Sequence, residues 1–172
     1  MIASLPMYLY PETRAAHDAF WALVRDKLRE QGIGAPQHLS HEAARYDVWG
    51  AGDLTLSHIC SLPYRLKFRN DLKRICSSDY GLDGCKPGYY KALFIVREDS
   101  PAEAPEVLDG ATMAVNSSDS HSGWGDAAVW AMQRNIRFRP TTWTASHQNS
   151  IAAVAAGDAE FATIDAQTFR IL

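Results

Sequence analysis

The residues best suited to chemistry gather in two stretches. In MAVNSSDSHSGWGDAA, Ser118, Ser120 and Ser122 surround a turn leading from a strand ending near Asn116 into a helix beginning near Ser122. A helix N-terminus presents free N–H groups and a partial positive charge. Serine hydroxyls add donors, and Gly123 lets the backbone approach a ligand closely. The combination suits a tetrahedral oxyanion such as phosphate or phosphonate. Asp119 opposes it unless its carboxylate turns away, because like charges repel at short range. The spacing is neither the GxxxxGK(S/T) of a P-loop nor the GxGxxG of a dinucleotide fold, and serines ahead of helices also serve as plain N-caps. The second stretch, TTWTASHQNSIAAVAAGDAEFATID, repeats the arrangement, with Ser146 and His147 at a helix start and Asp165 at a strand end. His147 could donate to an anionic oxygen, and Asp165 could accept from a ligand amine or hydroxyl.

These residues need a frame, and the pattern supplies one by alternating strands with helices. MIASLPMY opens as a short buried strand. Pro11 suits a first helical turn, Phe20, Leu23, Val24 and Leu28 follow at helical spacing, and Gly32 supplies the stop. Ser40 is expected to cap a short helix toward Trp49 that ends at Gly50. DLTLSHI reads as a strand, SLPYRLKF as a loop with a short helix, LKRICSS as a strand, and YYKALFIVRE as the strongest strand of all. The acidic, proline-rich DSPAEAPEVLDG marks a connector. ATMAVN is then a strand, SGWGDAAVWAMQRN a helix with Trp124, Ala128 and Met132 along one side, SHQNSIAAVAAG a helix from Ser146 to Gly157, and AEFATID a closing strand. Strands separated by helices imply crossovers and mostly parallel sheets. The fold class is therefore α/β.

Composition bounds the function. Of 172 residues, 47% are hydrophobic and 22% charged, with a formal net charge of −3. That is globular, and too mild and evenly spread a charge for a nucleic-acid or membrane footprint. No run approaches the ~18 apolar residues of a spanning helix. The opening IASLPMYLYPE lacks a basic n-region and a small-residue cleavage site, so no secretion signal is expected. Cys60, Cys76 and Cys85 form no CxxC pair; a Cys76–Cys85 bridge suits an oxidising compartment, and three separate thiols suit either.

Taken together, DLTLSHICSLPY, GYYKALFIVREDS, VLDGATMAVNSSDSHSGW and ASHQNSIAAVAAGDAEFATID, with the IASLPMY opening, resemble the substrate-binding proteins of phosphate, phosphite and phosphonate ABC transporters (the PhnD-like group). The resemblance spans nearly the whole chain. It implies a type II periplasmic-binding fold of two small α/β lobes, with lobe 1 over 1–88, lobe 2 over 89–165, a hinge strand near 89–97, and 166–172 returning toward lobe 1. The implied function is capture of a small phosphonate- or phosphate-like oxyanion in the cleft between lobes, without cofactor or catalysis. An ABC permease is the implied partner. The phosphoryl-binding turn falls on Ser120, Ser122 and Gly123, the cleft residue after the first strand on Tyr8, and the second-strand loop on Ser57 and His58. The aromatic before the crossing strand falls on Tyr89 or Tyr90, with Tyr90 the chosen candidate, and the distal polar contacts on His147 and Asp165. Tyr8 and Tyr90 can equally be strand-end aromatics that cover core. Family members continue past the ATID strand, so the C-terminal part is expected to be shortened, with a homodimer as one way to cover the surface left. The resemblance implies a periplasmic location; an opening without a signal fits a cytoplasmic sensor.

Three other readings compete. Ser122, His147 and Asp165 have the types of a nucleophile, base and orienting acid, although Ser122 lies in no GxSxG elbow. Tyr89 and Tyr90, with a His and an Asp, match the hard ligand set of ferric-ion-binding proteins on the same broad fold. A third is an interaction role in which the shortened lobe serves dimerisation.

Overall fold

The apolar runs form the strands they suggest, and two of those strands open the chain as a parallel pair. A computed structural model describes all residues, 1–172, and divides them into two compact units, Met1–Arg74 and Ile75–Leu172. In the first unit β1 (Ile2–Ser4) pairs with β2 (Leu54–Ser57) in parallel, and the connection carries α1 (Arg14–Glu30) and α2 (Arg45–Trp49). The helical α3 (Ser61–Pro63) continues through a wider π-type turn over Tyr64–Phe68.

The buried stripe of α1 is narrower than the sequence suggests. Trp21 is fully buried and Val24 and Leu28 pack beside it against Ala3, Leu5, Ala35 and Leu39. Phe20 and Leu23, expected on the same face, are exposed. A spacing of 21, 24 and 28 already fills the stripe that faces two short strands. Ser40 does not cap α2, whose N-cap is Ala44. Its backbone stays extended against β1 instead: Ser40 N–H donates to the Ala3 carbonyl at 2.8 Å, and Ser4 Oγ donates to the Ser40 carbonyl at 2.6 Å.

The second unit holds β3 (Ala92–Val96), β4 (Thr112–Val115), α4 (Asp126–Gln133), β5 (Arg139–Trp143), α5 (His147–Ala156), β6 (Phe161–Asp165) and α6 (Ala166–Ile171). A short 3-10 turn over Pro105–Leu108 precedes β4, and a π-type turn over His121–Gly125 runs straight into α4. The sheet order is β3-β6-β4-β5. β4 is parallel to both β5 and β6, while β3 runs antiparallel to β6. An α/β fold with mostly parallel pairing is thus what strand–helix alternation produces.

Two apolar layers clasp this sheet. Phe161, Met113 and Val115 face Ala127 of α4, with Phe94 and Phe138 packed around them. On the opposite side Ala114, Ala162 and Ile164 face Ala153 and Val154 of α5. All five residues of β6 are buried, so the strand reads as continuously covered rather than alternating, as strands flanked by helices on both faces do. Gly157 ends α5 at φ +82°, a left-handed conformation that favours glycine.

Two expectations fail for physical reasons. Residues 72–78 form no strand. Leu72 and Ile75 are an odd number apart, so a two-residue alternation places them on opposite faces, and Ile75 is exposed. Conversely β5 went unread. Its RPTTW sequence is polar and contains Pro140, which a sheet tolerates only on an edge strand. β5 is that edge, with a register shift opposite Met113 and Ala114.

Candidate functional site

Because β4, β5 and β6 are mutually parallel, their carboxyl ends lie on one edge of the second sheet, where ligands gather in open α/β sheets. Each strand is followed there by a helix start, and each start is capped by a side chain. Ser120 Oγ accepts the Gly123 N–H at 3.1 Å, Ser146 Oγ accepts the Asn149 N–H at 3.1 Å, and Asp165 Oδ1 accepts the Thr168 N–H at 2.8 Å. Serine and aspartate favour this position because their short side chains reach back to N–H groups the helix leaves unpaired.

The turn after β4 is tightly built. Ser120 N–H donates to the Ser117 carbonyl at 3.1 Å, and Gly125 N–H to the Ser120 carbonyl at 2.9 Å. Ser117 Oγ donates to the Asp119 carboxylate, so that carboxylate is engaged within its own turn. Gly123 is required by contact. A Cβ there would overlap Asn116 Oδ1 outright and lie 2.7 Å from Asn116 Cγ and 3.0 Å from Ser120 Oγ. Asn116 Oδ1 is itself buried without a hydrogen-bond partner.

Residues far apart in sequence meet at this edge. Ser122 Oγ lies 3.1 Å from His147 Nε2, joining the start of one helix to the start of the next. The same Nε2 lies 3.3 Å from Asp165 Oδ2. Asp165 Oδ2 also accepts the Thr168 hydroxyl at 2.6 Å. Ser122 is 5% exposed, and the His147 and Asp165 side chains 13% and 4%. Behind Ser122, His121 Nε2 is 3.1 Å from Asp126 Oδ1 and its ring is edge-on to Tyr90, with centroids 6.2 Å apart. Burial pushes the Asp126 carboxyl up from its ordinary range, and His121 pulls the other way. Burial likewise raises Tyr80, which also feels the Asp165 charge.

The geometry distinguishes this cluster from a nucleophilic triad. In a triad the carboxylate holds one ring nitrogen and the nucleophile sits on the other. Here Ser122 and Asp165 share Nε2. No group of three or more His, Cys, Asp or Glu side chains is placed to hold a metal ion. Tyr89 is exposed, and all three cysteines are free thiols.

Of the residues singled out in the sequence, Tyr90, Ser120, Ser122, Gly123, His147 and Asp165 lie in the second unit, and Ser122, His147 and Asp165 are in direct contact. Tyr8, Ser57 and His58 lie in the first. Tyr8 adopts φ +61°, which a bulky side chain rarely holds, and its carbonyl accepts the Thr13 hydroxyl at 2.6 Å. Ser57 Oγ donates to the His58 carbonyl at 3.1 Å, and Trp49 Nε1 donates to the same carbonyl at 2.8 Å. Burial and the nearby His17 charge lower the His58 pKa.

Two residues escaped the sequence reading. For Thr168 the usable signal is Asp165, since an aspartate at a helix start accepts the N–H of the residue two or three places on. Asn116 carried none, because its closeness to Gly123 exists only in three dimensions. The family model of ABC-transporter phosphonate periplasmic substrate-binding proteins matches residues 12–172. Among curated proteins none matches the chain.

Proposed function

The chain belongs to the phosphonate periplasmic substrate-binding proteins of ABC transporters, and from that premise we propose that it captures a small phosphonate- or phosphate-like oxyanion at the helix starts of its second unit, for delivery to a permease. The family is a transport component rather than an enzyme family. No helix is long and apolar enough to cross a membrane.

One observation carries the reading: Ser122 and His147, from two different helix starts, are 3.1 Å apart with Asp165 behind them. Two positive helix ends and two polar side chains therefore converge where the parallel strands finish. An anion there meets N–H and O–H donors already oriented by the caps. Charge-assisted bonds of this kind contribute on the order of 1.5–3 kcal/mol each, so a few suffice for micromolar affinity, about −8 kcal/mol. Ser120 and Gly123 shape the turn, and Tyr90 flanks it through His121.

Both oxygens of Asp165 are engaged by Thr168, and Oδ2 also faces His147. We assign it to holding His147 rather than to the ligand.

Calorimetric titration with methylphosphonate and with inorganic phosphate tests the proposal. Ser122→Ala and His147→Ala should each weaken binding about tenfold or more, the equivalent of one lost charge-assisted bond, without lowering the melting temperature by more than a few degrees. Undiminished affinity in both variants would remove the site.

A further inference from the structure

Asn116 follows β4 directly and opens the turn that presents Ser122. The two ends of its amide have opposite surroundings. Oδ1 is buried without a hydrogen-bond partner. It closes over Gly123, where a Cβ would coincide with it, and Ser120 Oγ stands 3.0 Å from the same point. Nδ2 also bonds to no protein group, but the residue is only partly buried and this nitrogen keeps its access to solvent. The orientation has an electrostatic cause. A helix start carries the positive end of the backbone dipoles, which draws the oxygen inward and leaves the NH2 group outside. Native folds hold few buried acceptors without a partner, and each one calls for an explanation. Here the unpaired oxygen is the counterpart of a free two-hydrogen donor at the edge where β4, β5 and β6 finish.

Building on the capture reading above, we infer that Asn116 is a further ligand contact, its NH2 group donating to the oxyanion gathered at Ser122 and His147. Turning the amide over would bury the NH2 group without an acceptor against the positive helix end, so the side chain offers the ligand hydrogens only. Anionic oxygens accept from it. An ammonium group on the ligand finds no acceptor on it. The phosphoryl end of an organophosphonate, rather than a cationic organic end, therefore belongs at this turn.

The test is calorimetry with methylphosphonate in mildly alkaline buffer, where the ligand carries no P–OH. Asn116→Asp keeps the shape and the inward oxygen but replaces the donor with a carboxylate. A carboxylate beside a helix start is tolerated, so the melting temperature should stay within a few degrees of wild type. Affinity should fall about a hundredfold or more, because one bond is lost and like charges meet. Asn116→Ala, which loses the bond alone, should bind about tenfold more weakly. Folded variants that bind as wild type does overturn the inference, and capture stands if Ser122→Ala still weakens binding. A wild type that binds neither methylphosphonate nor inorganic phosphate removes the capture reading, and this inference with it. Should neither variant fold, the Asn116 side-chain amide signal of isotope-labelled wild type decides by NMR. Methylphosphonate should move its protons downfield and slow their exchange with water; a signal unmoved at saturation overturns the contact.

Discussion

Gly123→Ala tests how tightly the turn after β4 is built. The added Cβ would coincide with Asn116 Oδ1 and lie 2.7 Å from its Cγ. Spinning the amide about its own axis therefore gives no relief; the whole Asn116 side chain must leave or the helix start must move. The third neighbour, Ser120 Oγ at 3.0 Å, is fixed by its bond to the Gly123 N–H. Overpacking of this kind costs about 1–3 kcal/mol. For a domain the size of the second unit that lowers the melting temperature by roughly 4–8 °C per kcal/mol. Differential scanning calorimetry should thus show a loss of about 5–20 °C. Asn116→Ala in the same chain should restore part of it, since contacting residues couple by roughly 0.5–3 kcal/mol. A G123A protein that melts with wild type, or a double variant no more stable than G123A, would refute the contact.

Other expectations concern caps, core and acid. Ser120→Ala should cost about 1 kcal/mol of stability through loss of the cap, whereas Ser122→Ala, which caps nothing, should leave the melting curve nearly in place; the two separate a structural serine from a binding one. Phe161→Ala removes a fully buried ring 4.7 Å from Phe138 and 6.0 Å from Phe94, and urea titration should show a loss of about 3–5 kcal/mol. Burial holds His17 and His58 below the ordinary histidine pKa of 6.5, with a nearby histidine charge lowering each further. A depressed histidine favours the fold above its unfolded pKa and loses that contribution as pH falls. Thermal melts of wild type should therefore weaken below about pH 6.5, and less so in His58→Gln.

Much of the frame was legible because it rests on local rules. Ser146 and Gly157 bracket α5 as cap and stop, and the apolar runs at β3, β4 and β6 needed only their length and flanks to be read as strands. The serine that caps the turn after β4 follows from the same local rule. What sequence could not supply was partnership. Leu72 and Ile75 looked strand-like, yet no neighbour offered their backbone a ladder, while the polar β5 found one in β4. The same holds in the site. The aspartate at the strand end is legible as a polar candidate, whereas its bonds to Thr168 and His147 depend on a short helix following the strand at once and on α5 starting beside it.

β6 lies between β3 and β4 with a helix layer over each face, which gives its last residue a distinctive standing. The amide hydrogens of such a strand exchange with solvent only when the whole unit opens. Asp165 ends that strand, in register with Ala92 of β3, while Ser122 and His147 stand at helix starts. The carboxylate is the datum against which the His147 ring, and through it Ser122, is aligned.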